Sequence, residues 1–330
     1  MPQSHSLQIP VIDARGHESA LLSAQAEPER LAMLMNSARR SYTPMGMRWA
    51  DARSRKWHAR GSSPYAEAVV EVSRLIGGPG AFLLNYSYEW GCTTGAAPEG
   101  DGVTLMRTLD WPFDGLGRAL IVVRQQGRAG PYLNVGWPGY AGVLTGVAPG
   151  RFAAAINQPP LPLPQLGKAA GWLALRARVN RSTALPPSHL LRLAFDTCRN
   201  FDEAVELVRT TPICIPAIFT LVGLKSGEAV VIERTETSAF MAAEPAAANH
   251  WASAGPKGKP RNRSSLPRRA AMTELIATPP DWSLDWLTPP ILQPDTRLAV
   301  MANPRTGRLA VQGWETTGPA TALLDLTEQA

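Results

Sequence analysis

Cysteine and histidine are scarce in this chain, and so are the segments that mark exported or membrane-spanning proteins. The 330 residues include three cysteines, Cys92, Cys198 and Cys214, an odd number with no metal-ligand spacing. A disulfide framework and a bound metal are therefore not expected, and a reducing cytoplasm suits these thiols. The five histidines are dispersed: His5 and His17 near the start, His58 and His189 in segments with helical patterning, and His250 on its own. No run of about 18 apolar residues suggests a membrane span. Residues 1–6 lack the basic start and apolar core of a secretory signal, so a cytoplasmic location is the expectation.

What is present is a globular composition with a basic excess. A hydrophobic content of 45% over 330 residues is enough for a substantial core. The formal charge of +6 comes largely from residues 39–60 and 257–269. Neither stretch resembles a helix-turn-helix, a zinc finger or an RNA-recognition module, so no nucleic-acid partner is expected. A solvated basic face is the simpler reading, with contact to anionic lipid or to an acidic substrate group left open.

The first 25 residues are polar and unpatterned and read as a loose arm. Residues 28–40 and 63–76 carry apolar residues at helical spacing, with Pro28 and Ser63 suited to helix starts, which predicts a small helical segment over 26–91. Residues 81–86 read as an extended lead-in to Cys92. Short apolar runs at 118–126, 132–135, 140–145 and 152–157 alternate with Gly/Pro turns, as in an antiparallel sheet. Helices are predicted over 167–179 and 188–197, and a third from Asn200, which has a glutamate at the capping-box position. Strands resume at 214–223, 229–235, 298–302 and 309–313. Strand runs bracketing a block of helices indicate layered α+β architecture.

The chemistry gathers at Cys92. The segment Cys92-Thr93-Thr94, a Pro98-Glu99-Gly100-Asp101-Gly102 turn, and Val103 to Trp111 form a hairpin pattern. Reflection about Gly100 sets Cys92 opposite Thr108, with Arg107 and Asp110 within reach of the same strand end. A thiol, a guanidinium and a carboxylate there fit an activated cysteine, since nearby positive charge favours the thiolate. They fit equally a buried hairpin cysteine beside a structural ion pair.

Four blocks in order resemble one family: Cys92-Thr93-Thr94 with Arg107-Thr108-Leu109-Asp110; residues 139–157; residues 215–234; and Asn249-His250-Trp251. They are similar to the catalytic subunit of the N-terminal-nucleophile cysteine hydrolases that include acid ceramidase, N-acylethanolamine acid amidase, choloylglycine hydrolase and the penicillin acyltransferase-like proteins. The resemblance implies a four-layer αββα sandwich over 92–330 and self-cleavage between Gly91 and Cys92. The freed α-amine of Cys92, titrating near about 7.7 to 8.0, would then act as general base for its own thiol. It also implies that Arg107 holds the thiolate or the substrate carbonyl region, that Asp110 orients the α-ammonium, and that Asn249 donates to the oxyanion. Arg268 matches a family arginine, although Arg263 and Arg269 are near enough to shift that alignment. A Cys-His arrangement using His250 is the competing mechanism.

Trp111, Tyr140, Asn157, Gln158 and Trp251 fall within or beside the matched blocks as candidate substrate contacts. Gln158 departs from the glutamate that close relatives carry, so a neutral or mildly alkaline optimum is expected. The implied substrate is a small linear N-acyl amide, and no cofactor is implied. Acyl transfer to an amine acceptor and a non-catalytic binding protein of the same fold are the alternatives. Oligomeric state has no signal in the sequence.

Overall fold

The computed structural model describes residues 7–88, 90–160, 177, 179, 181–278 and 281–329. Two sheets are stacked. The eight-stranded sheet has the order β1-β4-β5-β6-β7-β8-β9-β10, and the seven-stranded sheet has the order β11-β2-β3-β12-β13-β14, with β15 beside β13. In the first, β1 is Val11–Asp13, β4 Ile121–Gly127, β5 Gly130–Gly136, β6 Thr145–Ala148, β7 Phe152–Asn157, β8 Ala217–Val222, β9 Ala229–Arg234 and β10 Ala239–Met241. In the second, β2 is Gly91–Glu99, β3 Gly102–Asp110, β11 Ala246–Ala247, β12 Thr296–Asn303, β13 Arg308–Glu315, β14 Gly318–Pro319 and β15 Leu324–Thr327.

The central strands β3, β7, β8 and β12 are buried along their whole length, because both faces of each sheet are covered. Between the sheets lie Cys92, Leu105, Leu109, Val135, Ala155 and Val300. Thr94 and Thr220 bridge the gap through their hydroxyls at 2.7 Å. On the outer side of the eight-stranded sheet, Leu190, Phe195, Ala204 and Val208 of helices Pro187–Thr197 and Phe201–Thr210 pack on Phe152, Ile156 and Phe219. Outside the other sheet, Met272 of helix Ser265–Leu275 joins Trp286 and Ile291 over Ala97, Met106 and Met301. The architecture is the expected αββα sandwich.

The N-terminal helices belong to the same hydrophobic core. Helix Pro28–His58 is broken at Thr43, whose φ is 59°, immediately before Pro44, a residue that drives its predecessor out of helical geometry. Its buried Leu34, Met35 and Met47, with Val69 and Val72 of helix Ala66–Ile76, share a cluster with Trp90, Cys92 and Trp111.

Several expectations are corrected. Within the stretch read as a loose arm, Val11–Asp13 pairs in parallel with β4, Val11 opposite Val122, and Ser19–Ala26 is a helix. Residues 81–86 form a helix, not an extended segment: the amides of Gly80 and Leu83 donate to the Asp51 carboxylate at 2.8 and 3.0 Å and cap it. Residues 140–144 form a loop, held where the Asn85 side chain bonds Gly139 O and the Ala141 amide in place of a neighbouring strand. The predicted helix over 167–179 lies almost entirely outside the described residues. At Asn200 the side chain accepts from the Glu203 amide at 2.9 Å, as expected for a cap, while Glu203 reaches back to Arg199 N.

Candidate active site

The hairpin forms with a register one residue from the reflection about Gly100. Glu99 pairs with Gly102 across a two-residue turn, so Cys92 faces Leu109 and Gly91 faces Asp110. Strand alternation then divides the site between two faces. Cys92 and Thr94 point between the sheets with Arg107, whereas Thr93 and Asp110 point toward helix Ser265–Leu275. Arg107 therefore reaches Cys92 Sγ from the inner face, while Asp110, on the outer face, lies beside Gly91 and meets Arg268.

On the inner side, the Arg107 guanidinium donates to Cys92 Sγ at 3.2 Å and to Leu144 O at 2.6 Å. The thiol donates weakly to Ile156 O at 3.6 Å. Cys92 and Arg107 are fully buried. Burial pushes the Cys92 thiol up to about 11; Arg107 and Arg268 and a hydrogen bond from the Gln158 amide work against it, while Asp110 adds to it. In this uncut chain the sulfur is therefore a thiol at neutral pH, and a base is needed to make it a nucleophile.

On the outer side, Arg268 is the hub. Its guanidinium donates to Cys92 O at 2.6 Å, Thr93 Oγ1 at 2.8 Å, Asp110 Oδ2 at 3.2 Å, Asn249 Oδ1 at 2.7 Å and Asn262 Oδ1 at 3.2 Å. Of the three candidate arginines, Arg268 is the one with a hydrogen bond to Cys92 among the described residues: Arg263 is exposed, and Arg269 bonds Ala246 O and Glu244. Burial raises the Asp110 carboxyl above the usual carboxylate range, against the pull of Arg268 and a hydrogen bond from Thr296. Asp110 Oδ2 and Asn249 Oδ1 also crowd Gly91, where a Cβ would meet them at 3.3 and 3.4 Å.

Asn249 stands at the site in an orientation other than the one the resemblance implies. Its Oδ1 accepts from the Cys92 amide at 2.9 Å, and its Nδ2 donates to Gln158 O at 2.7 Å. The two donors on Oδ1, Cys92 and Arg268, fix which end of the amide faces the nucleophile. In this arrangement Asn249 orients the Cys92 nitrogen, the task expected of Asp110, and an oxyanion would have to displace Gln158 O to claim its Nδ2. Asn157 ties the floor together through Thr94 Oγ1, Ala247 O and Ala248 O at 3.2 to 3.4 Å. Gln158 Oε1 accepts from Arg261 at 3.4 Å.

The aromatic candidates separate. Trp111 and Tyr140 lie in the same buried cluster as Cys92, but Trp251 packs with Ile218, Val231 and Ala247 in another. Ring contacts run from Tyr88 to Trp90 to Trp111 to Trp137, with centroids 5.2, 5.2 and 5.6 Å apart. Beside them a shallow apolar cleft is lined by Leu34, Met35, Tyr42, Leu83, Trp111 and Phe113. His250 bonds Ser265 Oγ at 2.8 Å, and among the described residues no hydrogen bond joins it to Cys92.

Two positioning groups escaped the sequence reading. Ser265 Oγ also accepts from the Asn249 amide at 2.8 Å. Thr296 Oγ1 donates to Asp110 Oδ1 at 2.8 Å, aimed there by a register shift at Arg297 that pairs Thr296 with Asp110 and Leu298 with Leu109. Serine just ahead of Leu266-Pro267-Arg268 was a helix-start signal that could have revealed the first; nothing local marks the second.

Residues 99–279 match the family described as acyl-coenzyme A:6-aminopenicillanic acid acyl-transferase, a span that takes in Arg107, Asp110, Asn249 and Arg268 and begins after Cys92. The chain is 32% identical over 97 residues to acid ceramidase of Pan troglodytes, covering 29% of this chain and 23% of that protein. It is 26% identical over 178 residues to N-acylethanolamine-hydrolyzing acid amidase of Cavia porcellus, covering 52% and 48%. It thus spans less than half the length of these curated relatives. A solved structure of the Caenorhabditis elegans ortholog of that amidase superposes with a TM-score of 0.49 at 19% identity, over 64% of this chain and 92% of that one.

Proposed function

The chain belongs to the acyl-coenzyme A:6-aminopenicillanic acid acyl-transferase family, and from that premise we propose that it is a self-cleaving cysteine hydrolase of linear N-acyl amides. The observation that carries the reading is the convergence of Arg107 on Cys92 Sγ with Asn249 and Arg268 on the Cys92 backbone, all in a buried site.

In this reading Cys92 Sγ attacks the Gly91 carbonyl carbon, the Gly91–Cys92 amide bond breaks as a thioester forms, and the thiol proton passes to the Cys92 nitrogen, which leaves as an amine. Water then cleaves the thioester, restoring the thiol and giving Gly91 a carboxylate. Tyr88 and Trp90 are buried ahead of the bond, and the cut would free their segment to move aside and admit substrate. The new α-amine takes the thiol proton as sulfur attacks the substrate carbonyl, then returns it to the leaving amine. Asn249 Oδ1 holds the amine, and Arg107 stabilises the sulfur in its charged form. Water completes hydrolysis of the acyl-enzyme. An intracellular, reducing setting would preserve the free thiols of Cys92, Cys198 and Cys214.

The family's description favours a second reading, in which an amine replaces water as acceptor. Intact mass spectrometry of wild type and Cys92→Ala tests the first step: two fragments are expected from wild type and one chain from the variant. Product analysis with N-acyl amides, with and without added amines, then separates free acid from transacylated product. An unsplit and inactive wild type overturns the proposal.

A further inference from the structure

Beyond Thr43 the kinked helix presents a surface that the chemistry at Cys92 does not use. On residues 44–58 the inward positions are Met47, Ala50, Asp51, Ser54 and Trp57, all buried. The opposite face carries Met45, 80% exposed, and Trp49, 49% exposed, one helical turn apart, followed by Ala52. Exposed Arg48, Arg53 and Lys56 flank that stripe, and the Arg53 guanidinium lies 5.6 Å from the centroid of the Trp49 ring. Seven arginines and lysines fall between residues 39 and 60, all exposed. The one acid in that interval, Asp51, is turned inward to cap the amides of Gly80 and Leu83.

We propose that this face is a docking surface for an anionic lipid bilayer. Met45 and Trp49 would enter the boundary between headgroups and acyl chains, where an amphipathic indole is favoured, while the flanking cations meet lipid phosphates and carboxylates. Charge complementarity selects this occupant. A two-fold pairing of this face with a second copy would set the same cations against themselves. A nucleic acid would engage the cations but offers no apolar phase for a methionine that is 80% exposed. The inference does not depend on the chemistry at Cys92.

The test is co-sedimentation of the full chain with phosphatidylcholine vesicles, with and without about 30% phosphatidylserine, at about 0.1 M salt, a concentration at which surface charge is only partly screened. Wild type and Cys92→Ala are expected to pellet equally, and only with the anionic vesicles. Met45→Ser/Trp49→Ser should weaken this at least about tenfold. Arg48→Gln/Arg53→Gln/Lys56→Gln should weaken it about fivefold per cation removed, with unchanged melting. Wild type left in the supernatant, or both variants pelleting like wild type, overturns the proposal. So does tighter binding to duplex DNA than to vesicles, or a dimer that dissociates on Met45→Ser/Trp49→Ser.

Discussion

Replacing Arg268 by glutamine removes five hydrogen bonds from the centre of the site and strands Asp110, a carboxyl only 5% exposed. Taking one partner from a buried ion pair costs about 3–5 kcal/mol. At roughly 2 °C per kcal/mol for a chain of this size, Arg268→Gln should lower Tm by roughly 6–10 °C. The loss should also depend on pH. Burial raises the Asp110 carboxyl even with Arg268 present; without the guanidinium it would hold its proton to still higher pH. The folded variant then carries a proton that the unfolded chain has lost, so its stability falls as pH rises above about 4. The deficit should accordingly be smaller at about pH 5 than at about pH 8, and Asp110→Asn in the same chain should recover much of it. Thermal melts of both variants in a Cys92→Ala background keep cleavage out of the comparison. A Tm at about pH 8 within about 2 °C of the parent refutes the reasoning. A deficit equal at both pH values and untouched by Asp110→Asn does the same.

Other changes probe single contacts. Thr296→Val removes the hydroxyl donor to Asp110 and should cost about 1.5–3 kcal/mol in denaturant unfolding, most of it regained by Thr296→Ser. Gly95→Ala sets a methyl at 2.5 Å from Met272 Sδ and 2.7 Å from Ile276 Cγ2 and should destabilise by about 1–3 kcal/mol, read from the same unfolding curves. Asn249→Ala removes the Oδ1 that orients the Cys92 nitrogen and should lower turnover about 10²-fold, and a loss below tenfold would remove it from the reaction centre. If the α-amine is the base, kcat/KM of the cleaved protein should rise as pH passes through about 7 to 8, where the amine loses its proton. A maximum near pH 4.5 would contradict that assignment.

Strands whose pairing is local were legible. Phe152–Asn157 has the expected bounds, and the hairpin was off by one residue because its turn is centred between Gly100 and Asp101. What escaped was set at long range. The helix Ala81–Tyr86 depends on Asp51 about thirty residues earlier, and β1 depends on β4 more than a hundred residues later. Within the site, the residue types at 92, 107, 110, 249 and 268 could be aligned with a family. Their division between two faces of one strand end, and the direction of the Asn249 amide, depend on register and on Arg268. Thr296 was invisible because only the shift at Arg297 brings it to Asp110.

The short parallel strand β1 bears on how this protein behaves in a crowded solution. It sits on the margin of the eight-stranded sheet, over β4, whose residues 121–123 are buried. A chain trimmed through residue 16 would leave those backbone groups open beside Ile121, Val122 and Val123, the kind of margin on which foreign strands assemble. Val11, Ile12 and Asp13 thus cover a margin open to strand addition, and truncations that remove them are expected to lower solubility.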